Sequence, residues 1–192
     1  MNGHKITNQT ALHYVTFTVV GWIDVFSRKV YKEILIESMS YCIKEKGLVI
    51  YGYVIMSNHM HVIMSAREGF RLSDIIRDFK KYTAKTIIKS MLKSREESRR
   101  EWMLKLFKYY SKYNKNNTVY QFWRRDNRPV ELTSPKWINQ KLAYIHLNPV
   151  RSGLVESAED YTFSSARCYL GEDGDLEIEL LDLNITEGYI DL

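Results

Sequence analysis

Only two cysteines occur in the 192 residues, Cys42 and Cys168, and neither belongs to a Cys-x-x-Cys pair. That excludes a disulfide scaffold and a cysteine-built zinc cluster. No apolar run approaches the roughly 18–20 residues that a membrane span needs. The first residues, Met1-Asn2-Gly3-His4-Lys5, have no apolar centre of a secretory signal. The expectation is a cytoplasmic protein with no membrane partner. Glycine is sparse and no Gly-rich phosphate loop is present, nor any internal repeat or heptad array. What remains is 45% hydrophobic, enough for one domain with a core. That domain is expected over residues 1–170, followed by an acidic tail over 171–192.

The net charge of +5 hides a split. Between Arg67 and Arg128 there are 18 Lys and Arg against 7 Asp and Glu, a net of +11; from Glu156 to Leu192 there is 1 basic residue against 11 acidic ones, a net of −10. The middle is suited to a polyanion. Aromatic residues interleaved with the charge, among them Tyr82, Trp102, Tyr109 and Tyr110, offer unpaired bases a stacking surface. A solvated basic helix face is the plain alternative.

His13 to Val20 alternates as a first strand. Ser27 to Lys46 carries Val30, Ile34, Leu35 or Ile36, Met39 and Ile43 at helical spacing, with Gly47 as a stop. Leu48 to Met56 and His59 to Ser65 read as antiparallel strands about a turn at Ser57-Asn58. A helix starts near Arg71 with Leu72, Ile75, Ile76, Phe79 and Ile87 inward. Ser94 to Asn117 is an insertion, a helix continuation or a loop, and Thr118 to Trp123 a candidate fourth strand. Ser134 caps a last helix with Pro135 at its first position, expected to run to about Leu147 before Pro149, with His146 at its end. The order β-α-β-β-α-β-α gives an α+β, ferredoxin-like split β-α-β sandwich, an antiparallel sheet with helices mainly on one face.

Two places carry chemistry. In Ser57-Asn58-His59-Met60-His61-Val62 the histidines flank one apolar residue on a strand, so both leave the same face. Two imidazoles there can chelate one cation. On the last helix, Lys141 and Tyr144 lie one turn apart on a stripe beside the Ile138, Leu142, Ile145 core stripe, and Asn148 continues it. A phenol beside a lysine and a divalent ion can serve as a nucleophile toward phosphorus. Asn148 can offer an amide oxygen as a third ligand, a donor set that suits Mg²⁺ or, better, Mn²⁺. Arg77, Lys80, Lys81 and Lys85 recur on one side of the second helix, and Arg124, Arg125 and Arg128 follow the candidate fourth strand. Together with Lys141 these are the expected phosphate contacts.

Four stretches, in this order, resemble the single-tyrosine transposases of the HUH (His-hydrophobic-His) superfamily, and within it the REP-associated tyrosine transposases: Tyr53 to Val62, Leu72 to Thr83, Tyr144 to Val155 and Tyr161 to Ala166. The resemblance implies metal-dependent cleavage of single-stranded DNA beside palindromic hairpins, leaving a 5′-phosphotyrosine and a free 3′-OH that can rejoin strands without a nucleotide cofactor. By position, His59 and His61 take the metal-ligand role and Tyr144 the nucleophile role. Insertion-sequence relatives carry Gln four residues after the nucleophile; Asn148 stands there in this chain, as is usual in the REP-associated branch. Monomer and homodimer both remain open. A hairpin-binding protein of the same fold without strand transfer is the alternative, and an RNA-binding sheet is disfavoured because its aromatic signature is missing.

Overall fold

A computed structural model describes residues 5–113 and 119–181. The strands His13–Thr18 (β1), Leu48–Ile55 (β2), His59–Ala66 (β3) and Val130–Glu131 (β4) form one antiparallel sheet in the order β2-β3-β1-β4. Four α-helices lie among the described residues: Lys29–Lys46 (α1), Leu72–Lys93 (α2), Arg100–Ser111 (α3) and Pro135–Arg151 (α4). The fold is α+β, with the ferredoxin-like topology that the element order implies.

Alternation on the strands divides the core in two. Val15, Phe17, Met60, Val62 and Met64 point to one face and pack with α1, α2 and α3, the larger cluster. Tyr14, Val54 and Ile63 point the other way and meet Leu142 and Ile145 of α4. α4 alone among the long helices covers that second face, and His59 and His61 share it. In α1 the buried stripe is Tyr31, Leu35, Ser38, Met39 and Cys42, one position round from the expected one, and Val30 is exposed. Gly47 closes α1 in the left-handed conformation, donating its N–H to the Cys42 carbonyl.

The fourth strand lies later than expected. Thr118 is outside the described residues, and 119–123 contributes a single bridge, Val19 to Trp123, plus a Val20 N–H bond to the Phe122 carbonyl. Phe122 and Trp123 are consecutive and both buried, which breaks the alternation a strand requires. β4 has only two residues, pairing with His13 and Tyr14, too few to carry a period in the sequence. Of the stretch 94–117, half forms α3, while 114–117 lie outside the described residues.

α3 is anchored through a buried carboxylate. Glu97 has a fully buried side chain, 3.0 Å from Arg28 Nε and 3.2 Å from Arg99 Nε. Burial works to raise its pKa, but the hydrogen bonds and charges of Arg99 and Arg28 outweigh it and hold the carboxyl below its ordinary value. A depressed carboxyl contributes stability that is present above its unfolded pKa and lost as pH falls through the folded one. Glu97→Gln is therefore expected to cost about 1–3 kcal/mol at pH 7 and to make the acid limb of a stability–pH profile shallower, as read by urea unfolding.

α4 passes through Pro149 and ends at Arg151, four residues beyond its expected end. Proline removes only its own N–H, so near a C-terminus one helical bond is lost. Gly153, at φ +67°, then turns the chain, with Leu154 N–H donating to the Pro149 carbonyl. His146 is consequently an interior residue and not a helix-end cation: its Nε2 lies 2.8 Å from Ser165 Oγ, and burial lowers its pKa to about 3. α4 sits close to the sheet at Gly52, where an added Cβ would lie 2.6 Å from Leu142 Cδ1. Leu142 is itself fully buried and has nowhere to swing. Gly52→Ala should destabilise the fold by about 1–3 kcal/mol in thermal or urea unfolding.

The first part of the acidic tail packs. Leu176 is buried, and Glu179 N–H donates to the Ile50 carbonyl on the outer edge of β2. Residues 182–192 lie outside the described residues, as does His4.

Candidate active site

The β3 pleat sets His59 and His61 side by side, with ring centroids 4.8 Å apart. Each ring is oriented through its Nδ1. His59 Nδ1 lies 2.7 Å from Asn58 Oδ1, and Asn58 is held in turn by Nδ2 bonds to Asp24 Oδ1 and the Trp22 carbonyl. His61 Nδ1 lies 2.7 Å from Tyr14 Oη and 3.0 Å from Thr16 Oγ1. An Nδ1–H donor to these oxygens leaves the Nε2 lone pair of each imidazole for another partner. His61 Nε2 is buried and has no hydrogen-bond partner among the described residues.

Burial, with the nearby His59 and the Lys141 charge, brings the His61 pKa down to about 3, and burial lowers that of His59 as well. Both rings are neutral at pH 7, the form that ligates a metal. Burial also holds the Tyr14 phenol well above its usual value, so it stays protonated. Among the described residues no group of three or more His, Cys, Asp or Glu gathers. The two imidazoles are thus a two-nitrogen site whose remaining positions fall to other donors. A buried, unpartnered ring nitrogen beside a second neutral imidazole fits a divalent ion.

α4 brings Tyr144 to this pair, its ring 5.3 Å from that of His61 in the same chain. Tyr144 is 38% exposed, accessible to a substrate. Lys141 Nζ stands 4.9 Å from the Tyr14 ring and 5.9 Å from that of Tyr144, placing a cation above both phenols. Asn148 follows Tyr144 by one turn of α4 and is half-buried.

The basic residues separate into groups. Lys81, Lys85, Arg124 and Arg125 are exposed. Arg77 is exposed but ion-paired with Asp74 and Asp78, and Arg128 lies 3.6 Å from Asp126. Lys80 turns inward, bonding the Arg124 carbonyl (2.7 Å), the Arg125 carbonyl (3.3 Å) and Asn127 Oδ1 (2.6 Å). Burial lowers its pKa to about 8. It fixes the loop that displays the arginines, where the sequence suggested a phosphate contact. His13 is remote in role: its Nδ1 meets the Ala11 carbonyl and its Nε2 lies 4.0 Å from Glu131. The supporting residues Tyr14, Thr16, Asn58 and Asp24 were not singled out by the sequence as site residues. Only the strand period, which puts Tyr14, Thr16 and His61 on one face, could have pointed to the first two.

Among solved structures, a REP-associated tyrosine transposase bound to a REP hairpin matches with a TM-score of 0.63 at 17% identity, covering 98% of each chain. That likeness is one of fold. No curated protein matches the chain. The family model described as "Transposase IS200 like" matches residues 8–123, which include the whole β1–β3 sheet and both histidines and stop short of Tyr144. With more than half its length matched, the chain belongs to the IS200-like transposase family.

Proposed function

We propose that the chain is a metal-dependent single-stranded DNA endonuclease and strand-transfer enzyme with Tyr144 as nucleophile. The observation that carries this reading is the meeting of Tyr144 with His61, a ring whose buried Nε2 has no partner. His59 and His61 would hold a divalent cation, Mg²⁺ or Mn²⁺, with Asn148 as a third donor. Such an ion supplies polarisation of a phosphate oxygen.

The chain's own groups supply the rest. Tyr144 Oη bonds to phosphorus as the P–O3′ bond breaks; the phenolic proton passes to water, and the departing oxygen takes a proton to become a 3′-OH. The product is a 5′-phosphotyrosine. Attack by a 3′-OH on that phosphorus, with the Tyr144 oxygen leaving, rejoins strands, so the number of phosphodiester bonds is conserved and no nucleotide is spent. Lys141 favours the developing phenolate by its charge. Lys81, Lys85, Arg124, Arg125 and Arg128 would track the backbone of a hairpin and its single-stranded flank, and Arg77 could exchange its carboxylates for phosphate. The contact of Tyr144 with His61 of its own chain supports an arrangement in which one subunit contains every proposed catalytic group.

Tyr14 and Thr16 orient His61. Tyr14→Phe removes one of the two oxygens at Nδ1 and should weaken Mn²⁺ binding about 10-fold, measured by calorimetry. The reading itself is tested with labelled single-stranded hairpin DNA and Mn²⁺ on a denaturing gel. A covalent protein–DNA adduct supports it. Retarded but unmodified DNA would instead identify a hairpin-binding protein without strand transfer.

A further inference from the structure

Beside His59 the backbone adopts a costly conformation. Gly21 and Trp22 have φ of +64° and +57°. The first suits glycine, whereas the second is an outlier for a bulky residue. Packing does not account for it, since Trp22 is 55% exposed. The turn is nevertheless firmly held: Trp22 N–H donates to the Val19 carbonyl at 3.1 Å, and Asn58 Nδ2 donates to the Trp22 carbonyl at 3.3 Å. A Cβ on Gly21 would lie 2.8 Å from the Tyr110 ring, so glycine also admits Tyr110 from α3. Strained residues held by their surroundings gather at functional sites.

The strain presents the indole to a groove. Its ring lies 5.8 Å from that of His59, edge to face, and the Arg124 guanidinium lies 6.0 Å from the Trp22 ring. Tyr110, Gln121, Arg125 and Asp126 complete the lining of an open cleft of about 540 Å³. The combination is an exposed aromatic plane, cations for a phosphate chain, and amide and carboxylate groups able to meet a base edge. It adjoins His59 through the Trp22 ring.

We propose that this cleft binds one unpaired nucleobase of the DNA strand, stacked on Trp22, next to the phosphate that meets His59 and His61. The position relative to that phosphate rests on the nuclease reading; the capture of a base does not. Stacking is sequence-tolerant because every base has a π-face, so a homopolymer is a fair probe.

The test uses the full chain without divalent metal, so cleavage plays no part in it. Single-stranded dT12 carrying one 5-iodouracil is photocrosslinked and the modified residue mapped by mass spectrometry. The expected attachment is Trp22 or Tyr110. Trp22→Ala should weaken dT12 binding about 10-fold, and Trp22→Phe should stay within about threefold of the parent. The melting temperature of Trp22→Ala is recorded alongside; the crosslink map of the unmutated chain stands whether or not that variant folds. Crosslinks confined to other residues, no binding of dT12, or a folded Trp22→Ala that binds as the parent does would each overturn the pocket. Failure of the nuclease reading shows differently, as absence of a covalent hairpin adduct with Mn²⁺ while the dT12 results hold.

Discussion

Tyr144→Phe abolishes the covalent protein–DNA adduct and leaves hairpin binding within about twofold, because ring stacking and packing persist when only a hydroxyl is removed. The substitution keeps the ring that meets His61 at 5.3 Å and creates no cavity, since Tyr144 lies at the surface of α4 with 38% of its area exposed. Another phenol does not substitute. Among the described residues Tyr14 is the other tyrosine stacked on His61, but it is buried, kept protonated by desolvation, and engaged at the Nδ1 side of that ring. A gel of covalent adducts and a binding isotherm on the same variant separate the two effects. An adduct that survives in Tyr144→Phe removes this residue from the chemistry.

His61→Ala has a comparably large effect by a different route. It takes away the buried, unpartnered Nε2 and one of two neutral ring donors. Cleavage should fall by about 10³-fold or more, the equivalent of losing several kcal/mol of charge stabilisation on the phosphate oxygen. The fold survives with a modest loss: Tyr14 Oη and Thr16 Oγ1 each lose the same partner, at about 1–2 kcal/mol. The diagnostic contrast is with Tyr144→Phe. His61→Ala loses both Mn²⁺ affinity and adduct, whereas Tyr144→Phe loses the adduct alone. Calorimetry with Mn²⁺ on the two variants reads that contrast directly. Equal Mn²⁺ binding by His61→Ala and the parent would take the imidazole pair out of the metal site.

The sheet was legible because its strands are long enough to alternate. β2 and β3 have eight residues each, all but one of them buried in either strand; β2 is largely β-branched or aromatic, and the pleat of β3 places His59 and His61 together without further information. β4 failed that test with two residues, and the aromatic pair Phe122-Trp123 attracted the strand assignment instead. The end of α4 was misplaced for a local reason: Pro149 argues for termination, but burial of Pro149 and the Gly153 turn carry the helix past it. Tertiary context also reassigned Lys80. Its spacing on α2 matches that of Lys81 and Lys85, and only the arrival of residues 124–127 from afar turns its ammonium inward. The same limit hid Asn58. In sequence it is a turn residue before a strand; in space its oxygen orients His59 while its amide nitrogen reaches Asp24 across 34 positions. The histidine and tyrosine motifs are short and local. The contacts that complete them come from afar: Tyr14 and Thr16 orient His61, and Trp22 and Asp24 hold the Asn58 that orients His59.

The claim that Tyr144 and the His59–His61 pair act as one unit is tested most directly by mapping the site of attachment. After reaction of the parent chain with single-stranded hairpin DNA and Mn²⁺, trypsin releases the segment from Leu142 to Arg151, which contains one tyrosine. The account predicts that this peptide carries the 5′-phosphoryl nucleotide, and that it carries none when Mn²⁺ is withheld. Attachment at any other tyrosine, or attachment at Tyr144 that is indifferent to metal, would contradict it.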